Sequence, residues 1–286
     1  MTNDVTERTL SAPDALRPWI DGIEIGAGVD SGDGGDGGGD SDYGHGGGAS
    51  REPFTRVPDT ATKVVVRVDE NGHRDTLVVG PRTRATYHTN KRLASCVQVR
   101  LGPGTARPLL GVAAVELVGR VVRLGDLPGA SARQLADELR WLEGEDAVGR
   151  LMEVLPGRLA GDDDGAARAR REVLRAAVEA LSTDAGRVPS QVRELARRLA
   201  VSERQLRNLF AEGVGVSPKH FARIGRVRHV LARGGEMGWA ELAASTGYYD
   251  QSHMTADFRT LMGVPPRSFF TGRLPVAQPC ESLGRV

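Results

Sequence analysis

Hydrophobic and polar positions follow two different periods along this chain. Between 57 and 127 the apolar residues come in short β-branched runs, TKVVVRV (62–68) and DTLVVG (75–80). Runs of this kind bounded by turn residues read as strands. DENGHR (69–74) separates them, and its Asn71-Gly72 pair is a strong hairpin turn. SCVQVRL (95–101) sets Cys96, Gln98 and Arg100 on one face and Val97, Val99 and Leu101 on the other, the period of a half-buried strand. VVRLGDL (121–127) reads as a further strand, ARPLLG and AAVELVG as short helices, and LRPWIDGIEI (16–25) as a short element near the start. These segments predict a mostly β domain, a barrel or sandwich, over residues 1–130.

From 131 the period becomes helical. Leu135, Leu139 and Leu142 recur at i, i+4 and i+7. Gly161–Gly165, with three aspartates between, interrupts the pattern, and 167–181 resumes it with Val173, Ala177 and Leu181 as the apolar stripe. Residues 131–184 are therefore a helical connector whose stripe serves the chain's own core or a second subunit.

Over 185–274 short amphipathic helices follow one another. Pro189-Ser190 opens one with Val192, Leu195, Ala196 and Leu199 on its inner face. Ser202 followed three residues later by Gln205 is a capping-box pattern and starts the next. Its apolar face is Leu206, Leu209 and Phe210, which leaves Arg204, Gln205, Arg207 and Asn208 outward. A longer helix follows, with Ser217 as cap, Pro218 in the first turn, and Phe221, Ile224, Val227 and Leu231 inward; Gly234-Gly235 stops it. The arrangement then repeats. Trp239, Leu242 and Ala243 mark a short helix, Gly247 permits a turn, and Tyr248 plugs the core beside it. Asp250 caps a helix that buries Met254, Phe258 and Leu261 and exposes Gln251, Ser252 and Thr255, with His253 beside them. Gly263 and two prolines end it, so that RSFF (267–270) folds back. Two short helices joined by a tight turn, the second polar on its outer face, are what a helix-turn-helix requires. Arginine can bind guanine bidentately and asparagine can bind adenine, so these side chains suit a major groove.

Charge supports this division. The 286 residues carry a net charge of +1. From Ala185 to Leu274 there are 14 Lys+Arg against 7 Asp+Glu, a net +7, and the remaining 24 basic and 30 acidic residues sum to −6. A basic third beside an acidic remainder points to a polyanionic partner. The stretch 26–48 is Gly/Asp-rich and too polar to pack; it lacks the closing Glu of an EF-hand loop and the apolar residue of a glycine-aspartate β-roll, so a solvated loop is expected. Residues 275–286 read as a flexible tail. No run of about 18 apolar residues occurs and the first residues do not look like a secretory signal, so cytoplasmic residence is the expectation. Cys96 and Cys280 lack metal-like spacing and are expected as free thiols.

The C-terminal third resembles the DNA-binding domain of the AraC/XylS family of bacterial transcription regulators. ELARRLAVSERQLRNLF (194–210), GVSPKHF (215–221), ELAASTGYYDQSHMTADFR (241–259) and GVPPRSF (263–269) carry the resemblance, with both units in order. It implies an α+β chain: a mostly β sensor-like domain, the helical connector, and an all-α domain of two helix-turn-helix units. It also implies double-stranded DNA and RNA polymerase as partners. Base-contacting positions carry over to Arg204, Arg207 and Asn208, then Gln251, Ser252, His253 and Thr255, and the reading of the outer face adds Gln205. Two departures stand out. Many members have arginine on the second recognition helix where this chain has Ala256 and Asp257, which points to a lost phosphate or base contact there. Members often have glycine in the first turn, where this chain has Ala200. VPDTATKVVVRV (57–68), VGPRTRA (79–85) and RLGPGTARPLLGV (100–112) are similar to the N-terminal domain of a subset of actinobacterial AraC-type regulators. This implies a small β-rich domain that binds a small-molecule effector, forms a homodimer, or both.

Two other classes of reading compete for the N-terminal half. A cupin-like metal-dependent enzyme needs clustered His and carboxylate ligands. That half offers His45, His73 and His88, widely spaced. A dimerisation module without a ligand is the other. The sequence contains no G-x-S-x-G, H-E-x-x-H or phosphate-binding glycine loop, so no enzyme activity, catalytic residue, metal or cofactor is expected.

Overall fold

The fold is described from a computed structural model, which covers residues 6–12, 14, 16–27, 53–69, 71–89, 93–160, 164–182 and 192–279. The loop expected at 26–48 lies outside the described residues apart from Gly26 and Ala27, which continue a strand; Pro189-Ser190 and Cys280 also lie outside them.

Among the described residues, eight strands form in the N-terminal part: β1 (Thr6–Leu10), β2 (Ile20–Ala27), β3 (Pro53–Arg56), β4 (Lys63–Asp69), β5 (Arg74–Val79), β6 (Thr86–Thr89), β7 (Leu93–Leu101) and β8 (Val121–Arg123). Six of them make one antiparallel sheet in the order β1-β2-β7-β4-β5-β8. The β4–β5 hairpin turns at Gly72, whose φ of 75° suits glycine. β4 lies between β5 and β7 and is buried on both faces. On one face Val64 and Val66 join Val78, Val97, Val99 and Leu101 in the main core. On the other, buried Arg67 sits opposite Asp75 in register and donates to it at 2.7 and 3.2 Å.

The expected barrel or sandwich is instead an open sheet with helices over one face. These are α1 (Ala106–Leu110), α2 (Ala130–Leu139) and α3 (Gly144–Ala160). Leu109, Leu110, Leu135, Leu139, Leu151, Leu155 and Leu159 are almost wholly buried against the sheet's apolar face. Each such side chain contributes about 1.5–3 kcal/mol by leaving water. Two segments take the 3-10 form: Ala114–Leu117, read as a helix, and Leu124–Asp126, read as the end of a strand. Leu124 turns into the core there, which ends the strand at Arg123.

The connector divides between two cores. α2 and α3 complete the sheet's core, while α4 (Gly165–Leu181) packs with the helices that follow. Its buried stripe is Leu174, Ala177 and Leu181, with Leu174 in place of the expected Val173, and it serves the chain's own core.

The remaining helices are α5 (Val192–Arg198), α6 (Glu203–Gly213), α7 (Pro218–Arg233), α8 (Trp239–Ser245), α9 (Gln251–Met262) and α10 (Pro266–Phe270). Leu195, Ala196, Leu206 and Phe210 close one core with α4. Ile224, Val227, Val230, Leu242, Ala243, Tyr248, Met254, Phe258, Leu261 and Met262 form another. RSFF folds back as expected, with Phe269 on Phe258 and Phe270 on Trp239. Part of the expected tail is ordered: β9 (Gln278–Pro279) adds in parallel to β6, completing a three-stranded sheet with β3.

The sheet domain meets both helical cores. Gly104 N–H donates to Gly213 C=O at 2.9 Å. A Cβ on Gly213 would lie 3.0 Å from Gly104 N and 2.3 Å from Leu174 Cδ2, so a side chain there would crowd the Gly104 backbone and displace the leucine tip. Buried Asp59 accepts from Arg100 at 2.7 and 3.1 Å, with Lys63 at 3.4 Å and Arg228 of α7 at 3.9 Å. Burial works against its ionisation, but the Arg100 hydrogen bonds and charge, then Lys63 and Arg228, outweigh it and hold the carboxyl well below its usual range. Arg228 also donates to Pro58 C=O at 3.3 Å.

Candidate nucleic-acid interface

The two helical units repeat each other at the level of single hydrogen bonds. After α5, Ala200 N–H donates to Arg197 C=O and Val201 N–H to Ala196 C=O. After α8, Gly247 N–H donates to Ala244 C=O and Tyr248 N–H to Ala243 C=O. Both are helix stops of the Schellman type, with the pivotal residue in the left-handed region. That residue is Gly247 at φ 73° in one unit and Ala200 at φ 53° in the other. The altered first turn is therefore the same turn, held by a residue that disfavours it.

Each turn feeds a capped helix. Ser202 Oγ accepts from Gln205 N–H at 3.1 Å, and Gln205 Oε1 accepts from Ser202 N–H at 2.9 Å, the capping box read from the sequence. Asp250 Oδ1 accepts from His253 N–H at 2.7 Å. Leu206 and Phe210 are buried in α6, as Met254 and Phe258 are in α9. Arg204, Gln205, Arg207 and Asn208 are left exposed on α6, and Gln251, Ser252 and His253 on α9. Thr255 is half-buried. Seven of the eight expected residues thus face solvent, grouped on the first turns of the two helices.

Three of them carry other duties. The oxygen of Gln205 is engaged by the cap, which leaves its amide nitrogen for a ligand. Arg207 Nη2 donates to Glu203 Oε2 at 2.7 Å, an exposed i,i+4 pair. Such pairs contribute about 0–1 kcal/mol, so the guanidinium can exchange this partner for a base. The His253 ring packs edge-on against Tyr248 at 5.2 Å.

Asp257 is buried and turned away from the polar turns, toward α7. Its Oδ1 accepts from Arg223 at 2.8 and 3.1 Å, and Arg226 lies 3.6 Å from Oδ2. Arg223 and Arg226 clamp this carboxylate. Arg226 also lies over the Tyr248 ring, 4.8 Å from its centroid. Burial, with the Asp257 charge nearby, pushes the Tyr248 phenol up to about 12. Burial and then Arg223 hold His220 below the usual imidazole value.

One set of residues near α9 carries no periodic signal. Ala85 N–H donates to Leu261 C=O at 2.7 Å and Tyr87 Oη to Met262 C=O at 2.6 Å, so the sheet domain caps the end of α9. Val57 and Ala85 pack against the same core.

Residues 195–272 match the family model described as "Helix-turn-helix domain". This segment is a helix-turn-helix domain. Among solved structures the chain is similar to a probable AraC family transcriptional regulator from Rhodopseudomonas palustris CGA009, at 24% identity over 36% of this chain and 99% of that one, with a TM-score of 0.30. The C-terminal domain of AraT, a response regulator from Geobacillus stearothermophilus, aligns at 21% identity over 41% and 91%, with a TM-score of 0.30. ToxT from Vibrio cholerae O395 aligns at 12% identity over 77% and 92%, with a TM-score of 0.35. No curated protein matches the chain. Among the described residues, none of the helices is long and apolar enough to cross a membrane, and no group of three or more His, Cys, Asp or Glu is placed to hold a metal ion.

Proposed function

We propose that the chain reads a specific DNA sequence with α6 and α9 in successive major grooves. Arg204, Gln205, Arg207 and Asn208 serve the first half-site, and Gln251, Ser252, His253 and Thr255 the second. The observation that carries this reading is the repetition of one turn and one capped helix, each with its polar first turn exposed and the same positions buried. α7 spaces the two units. Its 16 residues span about 24 Å at 1.5 Å each, a rod on the scale of the 34 Å groove repeat. Phosphate contacts supply much of the affinity and make it salt-dependent, while base edges supply the sequence. Hydroxyl-radical footprinting of the complex tests the geometry. Two protected patches on one face of the duplex, about one helical turn apart, are expected; a single patch would reduce the second unit to a support.

The proposal extends to control by a small-molecule effector. A cavity of about 460 Å³ lies between the sheet domain and α4, α6 and α7, and Asp21, Arg100, Arg175, Val178, Phe221 and Ile224 are among its lining residues. This is the size of a small-molecule site. A ligand held by both halves would favour one arrangement of them over another, which is what control of binding requires. Burial raises the Asp21 carboxyl above its ordinary value against the pull of Arg100 and Arg175, so the site sets a carboxyl group beside cations. A thermal-shift screen of small acids and amines, repeated on Val178→Trp to fill the cavity, separates an effector site from a scaffold. A shift abolished by the tryptophan supports the site, and no shift with any compound supports the scaffold. The family resemblance adds RNA polymerase and a second copy of the chain as partners, and a regulatory rather than catalytic role.

A further inference from the structure

We infer that Arg84, carried by the N-terminal sheet domain, is an additional DNA contact that grips the phosphate backbone beside α9. The inference rests on the reading of α9 as a recognition helix. Arg84 lies in the bend just before β6 and is exposed. Among the described residues it has no hydrogen bond or ion pair. It lines an open groove together with Gln251, Ser252, Thr255, Ala256 and Arg259, the outer face of the recognition helix. The guanidinium therefore stands in the space that the second half-site would occupy.

The bend is fastened in that position. Ala85 N–H and Tyr87 Oη satisfy the Leu261 and Met262 carbonyls, two of the last four in α9, which lack partners within the helix. On its other side Arg82 exchanges backbone hydrogen bonds with Asp59 at 2.6 and 2.9 Å, and its Nε donates to Val57 C=O at 3.1 Å. These anchors sit at the far end of α9 from the reading turns. Ten residues separate Gln251 from Leu261, about 15 Å along the axis, so the bend leaves the first turns open.

Charge gives the contact a purpose. α9 carries one arginine of its own, Arg259, and has Ala256 where the family often has arginine. Arg223 and Arg226 are held by Asp257. Arg84 returns a cation to this half-site from a different domain. Its planar fork suits two oxygens of one phosphate.

The test uses the full chain and its Arg84→Ala, Arg84→Lys and Arg207→Ala variants. Binding is followed by fluorescence anisotropy at several salt concentrations. The probes are a duplex of about 30 base pairs bearing the sequence that the wild-type chain enriches from a random pool, and an unrelated duplex of equal length. Arg84→Ala should weaken binding to both duplexes by a similar factor, about 3–10-fold, and reduce the slope of log K against log salt by about 0.9. Arg84→Lys should keep the wild-type slope, and melting temperatures should change little, since among the described residues Arg84 makes no hydrogen bond or ion pair. Unchanged affinity and slope in Arg84→Ala would overturn the inference, as would tighter binding, which would make the bend an obstruction. If Arg207→Ala loses sequence preference while Arg84→Ala behaves as wild type, the DNA reading stands and Arg84 alone falls. If the wild-type chain enriches nothing, both fall.

Discussion

Ala200→Gly should stabilise the first helix-turn-helix unit, and Gly247→Ala should weaken the second. Ala200 sits at φ 53° and is exposed, so its methyl group adds little packing while its Cβ crowds the backbone. An L-residue in the left-handed region costs about 1–2 kcal/mol. Against this, glycine frees the unfolded chain and costs about 0.4–1 kcal/mol. The balance is a gain of about 0.5–1 kcal/mol for Ala200→Gly and a similar loss for Gly247→Ala, whose φ is 73°. Amide exchange reads each unit separately in a chain that need not unfold in one step. The reporters are Val201 N–H, held by Ala196 C=O, and Tyr248 N–H, held by Ala243 C=O. Exchange at Val201 should slow about 2–5-fold in Ala200→Gly, and exchange at Tyr248 should quicken by about as much in Gly247→Ala. Faster exchange at Val201 in Ala200→Gly, or no response in either variant, would show that the left-handed turn is not where the strain lies.

Three further outcomes follow from the same geometry. Arg207→Ala should weaken specific DNA binding by about 1–3 kcal/mol and relax preference at one base position; a titration showing neither change would remove Arg207 from the interface. Asp257→Ala strands two arginines whose side chains are only 27% and 18% exposed, so it should cost about 2–4 kcal/mol in urea unfolding, somewhat less than a fully buried pair; a loss below about 1 kcal/mol would mean the clamp between α7 and α9 is idle. For Asp59 the sign follows from its depressed carboxyl: the stabilisation is full above the unfolded value of about 3.9 and is lost as pH falls toward the folded value. The stability gap between wild type and Asp59→Asn should therefore be constant from about pH 8 to 5 and narrow below about pH 4. A gap that widens on acidification would contradict the Asp59–Arg100 assignment.

Much of this was legible because it is local. Ser202 and Gln205 announce their cap in sequence, Val97, Val99 and Leu101 alternate as strand β7 requires, and Met254, Phe258 and Leu261 keep helical spacing. The unread parts depend on partners far away in the chain. Asp257 looked like a lost DNA contact because its partner Arg223 stands 34 residues earlier. In the repeat it occupies the position of Leu209, an inward-facing site, so its charge is directed at α7 rather than at a ligand. Tyr87 meets Met262 across 175 residues, and no periodicity encodes such a pair. In the stripe of α4, Ala177 and Leu181 are buried as read, but the third position is Leu174 rather than the neighbouring Val173. The sheet was mistaken for a barrel or sandwich because the leucines of α2 and α3, assigned to a connector, cover the face that a second sheet would have covered.

The central claim is that two linked helices read one sequence. Selection of bound DNA from a random pool by the full chain, at near-physiological salt, tests it most directly. The account predicts enrichment of two short blocks about one helical turn apart. Binding to all sequences alike, with no enriched block, would contradict it.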